Sequence, residues 1–242
     1  MTFAGWGKII LLGEHAVVYG YPALAAALDR GVTIAPVPTP AGGPLRLDVP
    51  AWELAVTASA RDDHHPVGRA LAAIADELGI GRPAVSLVGD AQIPHSAGLG
   101  SSAAMAVAIT RALLAHAKRP QDHKSILAAA SASEVVLHGR QSGVDVALAA
   151  RGGIGVFRKV SGLRVITMPP LRVLVAPSGE PRSTAAMVAR VAEATSASGR
   201  VNIASLSAAE PYSNTDARLA ELGGLTDVGT SALIGGDLAG LG

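Results

Sequence analysis

Apolar and polar positions along this chain follow two different periods, and each change of period marks an element. Residues 8–12 form an Ile- and Leu-rich run opened by Lys8 and closed by Gly13, which predicts a buried strand. Residues 16–19 predict a second short strand, and 22–28 fit a strand or a helix. Five prolines and two adjacent glycines make 36–50 a loop or an edge hairpin. Apolar residues recur at helical spacing over 66–78, with Gly79 as a stop. A strand over 84–88 follows, then helices over 101–118 and 122–138, the latter with Asp122 near its start and Gly139 just past its end. Strands over 154–157 and 171–176 and a helix over 184–194 complete the pattern. Strands, then helices, then strands favour an α+β fold over regular α/β alternation. A shift near Pro169-Pro170 divides the chain into an N-terminal domain, 1–168, and a second unit, 169–242.

Composition narrows the possible partners. With 242 residues, 49% of them apolar, the chain can bury a sizeable core. A formal net charge of +1 and 3% aromatic residues leave neither a dense basic patch nor a base-stacking platform, so no nucleic-acid partner is expected. The absence of cysteine excludes disulfides, thiolate metal sites and a cysteine nucleophile. No charged head precedes a long apolar run, and apolar stretches such as 103–115 are too short to cross a bilayer. The expectation is a soluble cytoplasmic protein with no membrane partner.

Three constellations carry chemistry. The first lies between the strand over 84–88 and the helix over 101–118, where Ser96 to Ser102 pack two glycines and three serines into seven residues. Glycines admit close backbone approach, and the helix that follows offers unpaired N–H groups and the positive end of its dipole. Together they make an anion cradle, most often for phosphate. No Gly-Lys-Ser/Thr follows, so it is not a Walker loop, and the glycine spacing is wrong for a dinucleotide fingerprint. Taken alone it also fits a tight turn with serine caps. The second constellation is Lys8 to Gly20, with a lysine opening a buried strand and Glu14-His15 at the turn ending it. The third is Glu134 to Asp145, in which Glu134 and His138 share one face of a helix end and Asp145 follows a glycine turn. Taken alone, these two fit a solvated strand end and an ordinary helix terminus, and His138 fits a helix cap.

Taken together, and in this order, the three segments resemble the signatures of the GHMP kinases, the small-metabolite kinases named for galactose, homoserine, mevalonate and phosphomevalonate. The likeness is greatest to the members acting on mevalonate. It rests on Gly7-Lys8 through Gly13-Glu14-His15-Ala16-Val17-Val18-Tyr19-Gly20, on the glycine-serine loop, and on His138-Gly139 with Ser142-Gly143-Val144-Asp145 behind Glu134. Arg182-Ser183-Thr184 resembles a later family segment, so the matches span most of the chain.

The resemblance implies a two-domain α+β GHMP kinase fold. Its N-terminal domain would be like domain 2 of ribosomal protein S5, and its C-terminal domain ferredoxin-like and incomplete. It implies ATP as co-substrate and Mg²⁺ as cofactor. Ala97, Gly98, Leu99, Gly100, Ser101 and Ser102 would wrap the ATP phosphates, and Ser102 and Glu134 would hold Mg²⁺, which favours oxygen ligands. Asp145 would accept the proton of the primary hydroxyl of (R)-mevalonate, with Lys8 beside it to favour developing negative charge. Glu14, His15, Ser142 and Thr184 would line the substrate. The family often forms dimers, so a homodimer is a partner the resemblance allows.

The chain also departs from the pattern. His95-Ser96 stands where the family has small residues, Trp6 replaces a proline before Gly-Lys, and Gln141 replaces a proline before Ser-Gly. No third glycine-rich motif follows, and 233–242 reads as a helix stopped early. The alternatives left open are another GHMP kinase, for phosphomevalonate or a sugar, and a catalytically impaired ATP-binding fragment.

Overall fold

The computed structural model describes residues 1–62, 64–139, 142–168, 170–176 and 216–241, together with 187, 190, 191 and 193. Seven strands among these residues form one mixed sheet. They are β1 (Phe3–Leu12), β2 (Ala23–Pro38), β3 (Arg46–Val49), β4 (Leu54–Thr57), β5 (Val85–Ala91), β6 (Ile154–Arg158) and β7 (Gly162–Ile166). The long β2 organises the sheet. It pairs antiparallel with β1 along one edge, and on the other with β6 near its start and β5 near its end. β3 lies parallel to β5 and antiparallel to β4, and β7 closes the far side on β6. Mixed pairing and a helical layer make this the expected α+β architecture.

Helices α1 (Pro66–Glu77), α2 (Ser101–His116), α3 (His123–His138) and α4 (Val144–Arg151) are grouped with this sheet. α2 is buried around nearly its whole circumference, which explains its alanine-rich, weakly amphipathic sequence: it is wedged among β1, β2, α3 and α4. Ile34, Leu47 and Leu87 of the sheet join Leu71, Ile74, Ile109 and Leu113 of the helices in the principal core. Truncating any one of these to alanine should cost about 2–5 kcal/mol. Close approach at the α2–β1 contact demands glycine, because a Cβ on Gly5 would overlap the carbonyl of Ala104. Arg111 of α2 donates from Nη2 to the carbonyl of Ala150 at 2.6 Å and from Nη1 to that of Ala4, tying α4 and β1 to the same helix.

A further helix, α5 (Ala217–Ile234), starts at Asp216, whose carboxylate accepts from the Arg218 N–H at 2.9 Å. Its inner face packs on the start of β2 and the turn after β1. There Gly223 lies against Tyr21 and Gly229 against Leu12, while Arg158 pairs with Asp227 at 2.8 Å.

Several expected elements differ. Residues 16–19 form a single 3₁₀ turn instead of a strand, since His15 at φ 66 and Gly20 at φ 93 bend the chain at both ends. The ambiguous 22–28 is strand, carried by its partners on both edges. The segment 36–50 is the end of β2, a loop and the paired strand β3. Residues 171–176 belong to no strand, and the expected terminal helix ends at Ile234, with turns beyond. The helix over 144–151, set between Gly143 and Gly152, and the strand β7, which opens at Gly162, were not predicted, because each is short. Of the helix over 184–194, the described residues 187, 190, 191 and 193 are helical.

Candidate active site

β1 brings the first reactive group. Its pairing with β2 is irregular between Trp6 and Lys8, a bulge of the kind that re-aims a side chain. The Lys8 N–H turns from the regular ladder to donate to the carbonyl of Leu99, at 2.9 Å, in the glycine-serine loop. The Lys8 side chain is only 9% exposed, and its Nζ reaches Asp145 Oδ1 at 3.3 Å. Asp145 sits in the first turn of α4, where the dipole favours an acid, behind Gly143 at φ 90. Buried ammonium groups are costly unless paired, so the short distance to Asp145 accounts for Lys8 being tolerated there.

The loop from Ser96 to Ser102 is built for close backbone approach. Ser96, Gly98 and Gly100 all hold positive φ, at 57, 77 and 69. Leu99 between them is buried and anchors the loop, while open space surrounds the place of a Gly98 Cβ. Ala97 packs beside the core, and Ser101 opens α2. No side chain caps this helix, whereas Asp122 and Asp216 cap α3 and α5. The N–H groups of its first turn are thus the place for an acceptor from outside.

Ser102, Glu134 and His138 meet behind the loop. Ser102 Oγ donates to Glu134 Oε2 at 3.2 Å, and His138 Nε2 lies 3.1 Å from the same Oγ. Glu134 is 3% exposed, and its Oε1 is buried with no hydrogen-bond partner among the described residues. Burial pushes its carboxyl up to about 7; the Ser102 hydrogen bond opposes that, the Asp145 charge adds to it and Lys8 counters it. Both members of the Lys8–Asp145 pair therefore act on Glu134 through space, and the three charged groups form one electrostatic cluster. Burial likewise lowers the His138 imidazole below its ordinary value, against a smaller opposing effect of Asp145.

An orphaned, buried carboxylate oxygen beside a serine hydroxyl is an oxygen donor set, and it fits a hard divalent cation that takes its remaining ligands from water and phosphate. Among the described residues no cluster of three or more His, Cys, Asp or Glu side chains could hold a metal by protein ligands alone.

Glu14 is exposed, and His15 is half-buried in its strained turn. Ser142 accepts from the Val144 N–H at 3.3 Å and so shapes the entry to α4. Thr184 lies outside the described residues. The i, i+4 spacing that puts Glu134 and His138 on one side of the helix end brings both to Ser102, so the ring contacts that hydroxyl as well as standing at a helix terminus.

This geometry coincides with a family match. Residues 65–153 match the GHMP kinases N terminal domain. Curated relatives that it resembles include mevalonate kinases. The enzyme of Archaeoglobus fulgidus is 34% identical over 189 residues, covering 77% of this chain and 61% of the relative. That of Mus musculus is 30% identical over 240 residues, covering 76% and 60%. The chain thus spans about three-fifths of the length of these relatives. The L. major mevalonate kinase, solved in complex with R-mevalonate, shares the fold at 22% identity with a TM-score of 0.72, covering 100% of this chain and 72% of that one. A Streptococcus pneumoniae phosphomevalonate kinase, solved with phosphomevalonate and AMPPNP, shares it at 16% identity and the same TM-score of 0.72, covering 100% and 76%. No helix among the described residues is long and apolar enough to cross a membrane.

Proposed function

We propose that this chain carries the site of an ATP-dependent kinase that phosphorylates the primary hydroxyl of (R)-mevalonate, giving 5-phosphomevalonate and ADP. One observation supports this above the others: the buried Lys8 ammonium lies 3.3 Å from Asp145 and hydrogen-bonds through its own backbone to the phosphate loop. A kinase for an alcohol needs a carboxylate to take the hydroxyl proton and a cation to meet the charge that develops on the transferring phosphoryl group.

In this reading the Ala97 to Ser102 loop binds the ATP phosphates through backbone N–H groups. The alcohol oxygen attacks the γ-phosphorus, and a new O–P bond forms as the bond to the β-phosphate oxygen breaks. ADP leaves with that electron pair. The hydroxyl proton passes to Asp145, while Lys8 holds Asp145 in place and faces the charge on the phosphoryl oxygens. Ser102 and Glu134 would hold Mg²⁺, which when bound neutralises phosphate charge and orients the phosphate chain. Glu14, His15, Ser142 and Thr184 are assigned to the substrate side. Residues 1–168 form the nucleotide-binding unit and 169–242 belong to a second. Similarity in sequence favours mevalonate; similarity in fold extends equally to a phosphomevalonate kinase, which makes phosphomevalonate the second substrate to test.

The test is ADP release from Mg-ATP in the presence of mevalonate, phosphomevalonate or galactose. Turnover with mevalonate, lost in Asp145→Asn, is expected. Turnover with phosphomevalonate alone would move the assignment within the family, and nucleotide binding without any turnover would reject catalysis by this chain.

A further inference from the structure

The last turn of α3 delivers a side chain to Ser102 that has no role in the reaction as described so far. His138 Nε2 lies 3.1 Å from Ser102 Oγ and 3.9 Å from Glu134 Oε2. A residue serving only to finish its own helix would turn to the last carbonyls of α3. The Gly139 N–H already satisfies the Val135 carbonyl there, and the ring instead contacts a side chain on α2.

Counting protons assigns the contact. A serine hydroxyl has one proton and two lone pairs. Glu134 Oε2 takes the proton at 3.2 Å. A neutral ring next to that oxygen then donates from Nε2 to one lone pair, which makes the Nε2–H tautomer the matching one. One lone pair of Ser102 remains, together with the unpartnered Oε1 of Glu134.

We infer that His138 is a positioning residue for divalent-cation binding: its Nε2–H, 3.1 Å from Ser102 Oγ, stops the hydroxyl from rotating and leaves the remaining lone pair of Ser102 as a cation ligand. The inference rests on the proposed assignment of Ser102 and Glu134 to the cation. Partners one step behind a metal ligand typically change metal affinity by about 10–100-fold when removed.

The test is Mn²⁺ binding in the presence of ADP and without acceptor, followed by the EPR signal of free Mn²⁺, so that turnover plays no part. His138→Gln keeps a donor near the Nε2 position and should stay within about threefold of the unaltered chain. His138→Leu, with no donor, should weaken Mn²⁺ by about tenfold or more. His138→Asn, polar but too short to reach Ser102, should match Leu and serves in its place if Leu fails to fold. In a Ser102→Ala background, replacing His138 should have no further effect. Unchanged Mn²⁺ affinity in both the Leu and Asn variants, or equal weakening with and without Ser102, would overturn the inference while the cation site stands. No Mn²⁺·ADP binding by the unaltered chain would remove the cation site itself, and the role of His138 with it.

Discussion

A Cβ placed on Gly100 would stand 2.8 Å from Cγ of Lys8, so the phosphate loop and the buried amine occupy one space that only glycine leaves open. The turn that would receive the nucleotide and the strand that carries the ammonium are therefore a single packing unit.

Gly98→Ala and Gly100→Ala separate two effects of glycine here. Both positions have positive φ, at 77 and 69, and either substitution should cost about 1–2 kcal/mol in backbone strain. Gly98 has open space around it, whereas Gly100 abuts Lys8. Thermal melts should show a larger loss for Gly100→Ala, where contact with Lys8 adds to the backbone strain, and Gly100→Ala should lose turnover far more than Gly98→Ala does. Equal kinetics in the two variants would disconnect the loop from Lys8.

Lys8→Met and Asp145→Asn should lower kcat by roughly 10²–10⁴-fold. ATP affinity, measured by calorimetry, should change by no more than a few-fold, because the proposed site holds the phosphates through backbone N–H groups rather than through these side chains. The double variant should be little worse than either single one, since the two groups act as a unit. Additive losses would mean that they act separately.

With Glu134 as the proposed cation ligand, cation binding should depend on pH. Its folded carboxyl titrates at about 7, above its ordinary 4.5, because it is buried. The metal-free folded chain binds more protons than the unfolded chain between those values. The stability this group contributes is therefore complete below about pH 4.5 and is lost as pH climbs through about 7. Cation binding needs the ionised form, so Mg²⁺ affinity should fall roughly tenfold for each pH unit below the folded value and level off above it. Glu134→Gln should melt higher than the unaltered metal-free chain at pH 8, where the ionised carboxylate is buried with one oxygen unpaired, and should lose the Mg²⁺ dependence. A lower melt at pH 8 would contradict the burial cost.

Gly5→Ala tests what holds α2 in place. The added methyl would overlap the Ala104 backbone, which cannot move aside as a flexible side chain can. A loss of about 3 kcal/mol is expected in urea denaturation, with a proportionate loss of nucleotide affinity, because Ser101 and Ser102 travel with the helix. Full stability would mean that the α2–β1 contact is looser than described.

The long periodic elements were legible in the sequence because their caps and apolar faces are local. Asp122 and Gly139 bound α3, and Pro66 opens α1. The short elements were not. The 3₁₀ turn at Ala16 depends on the backbone of His15, and β2 is strand along 22–28 because β1 and β6 pair with it from either side. At the site, the resemblance to the GHMP kinases pointed to Lys8, Ser102, Glu134 and Asp145, whose spacing alone fits ordinary turns and helix ends, and only tertiary packing could show that Lys8 and Asp145 lie 3.3 Å apart. His138 was visible as a residue and invisible as a partner of Ser102, because that contact spans two helices separated by 36 positions.

A crystal structure with mevalonate and a non-hydrolysable ATP analogue tests the central claim most directly. The γ-phosphorus should lie over the turn between Gly98 and Ser102 with Lys8 against its oxygens, and the primary hydroxyl should donate to Asp145. A nucleotide bound away from that turn, or an acceptor hydroxyl out of reach of Asp145, would contradict the account.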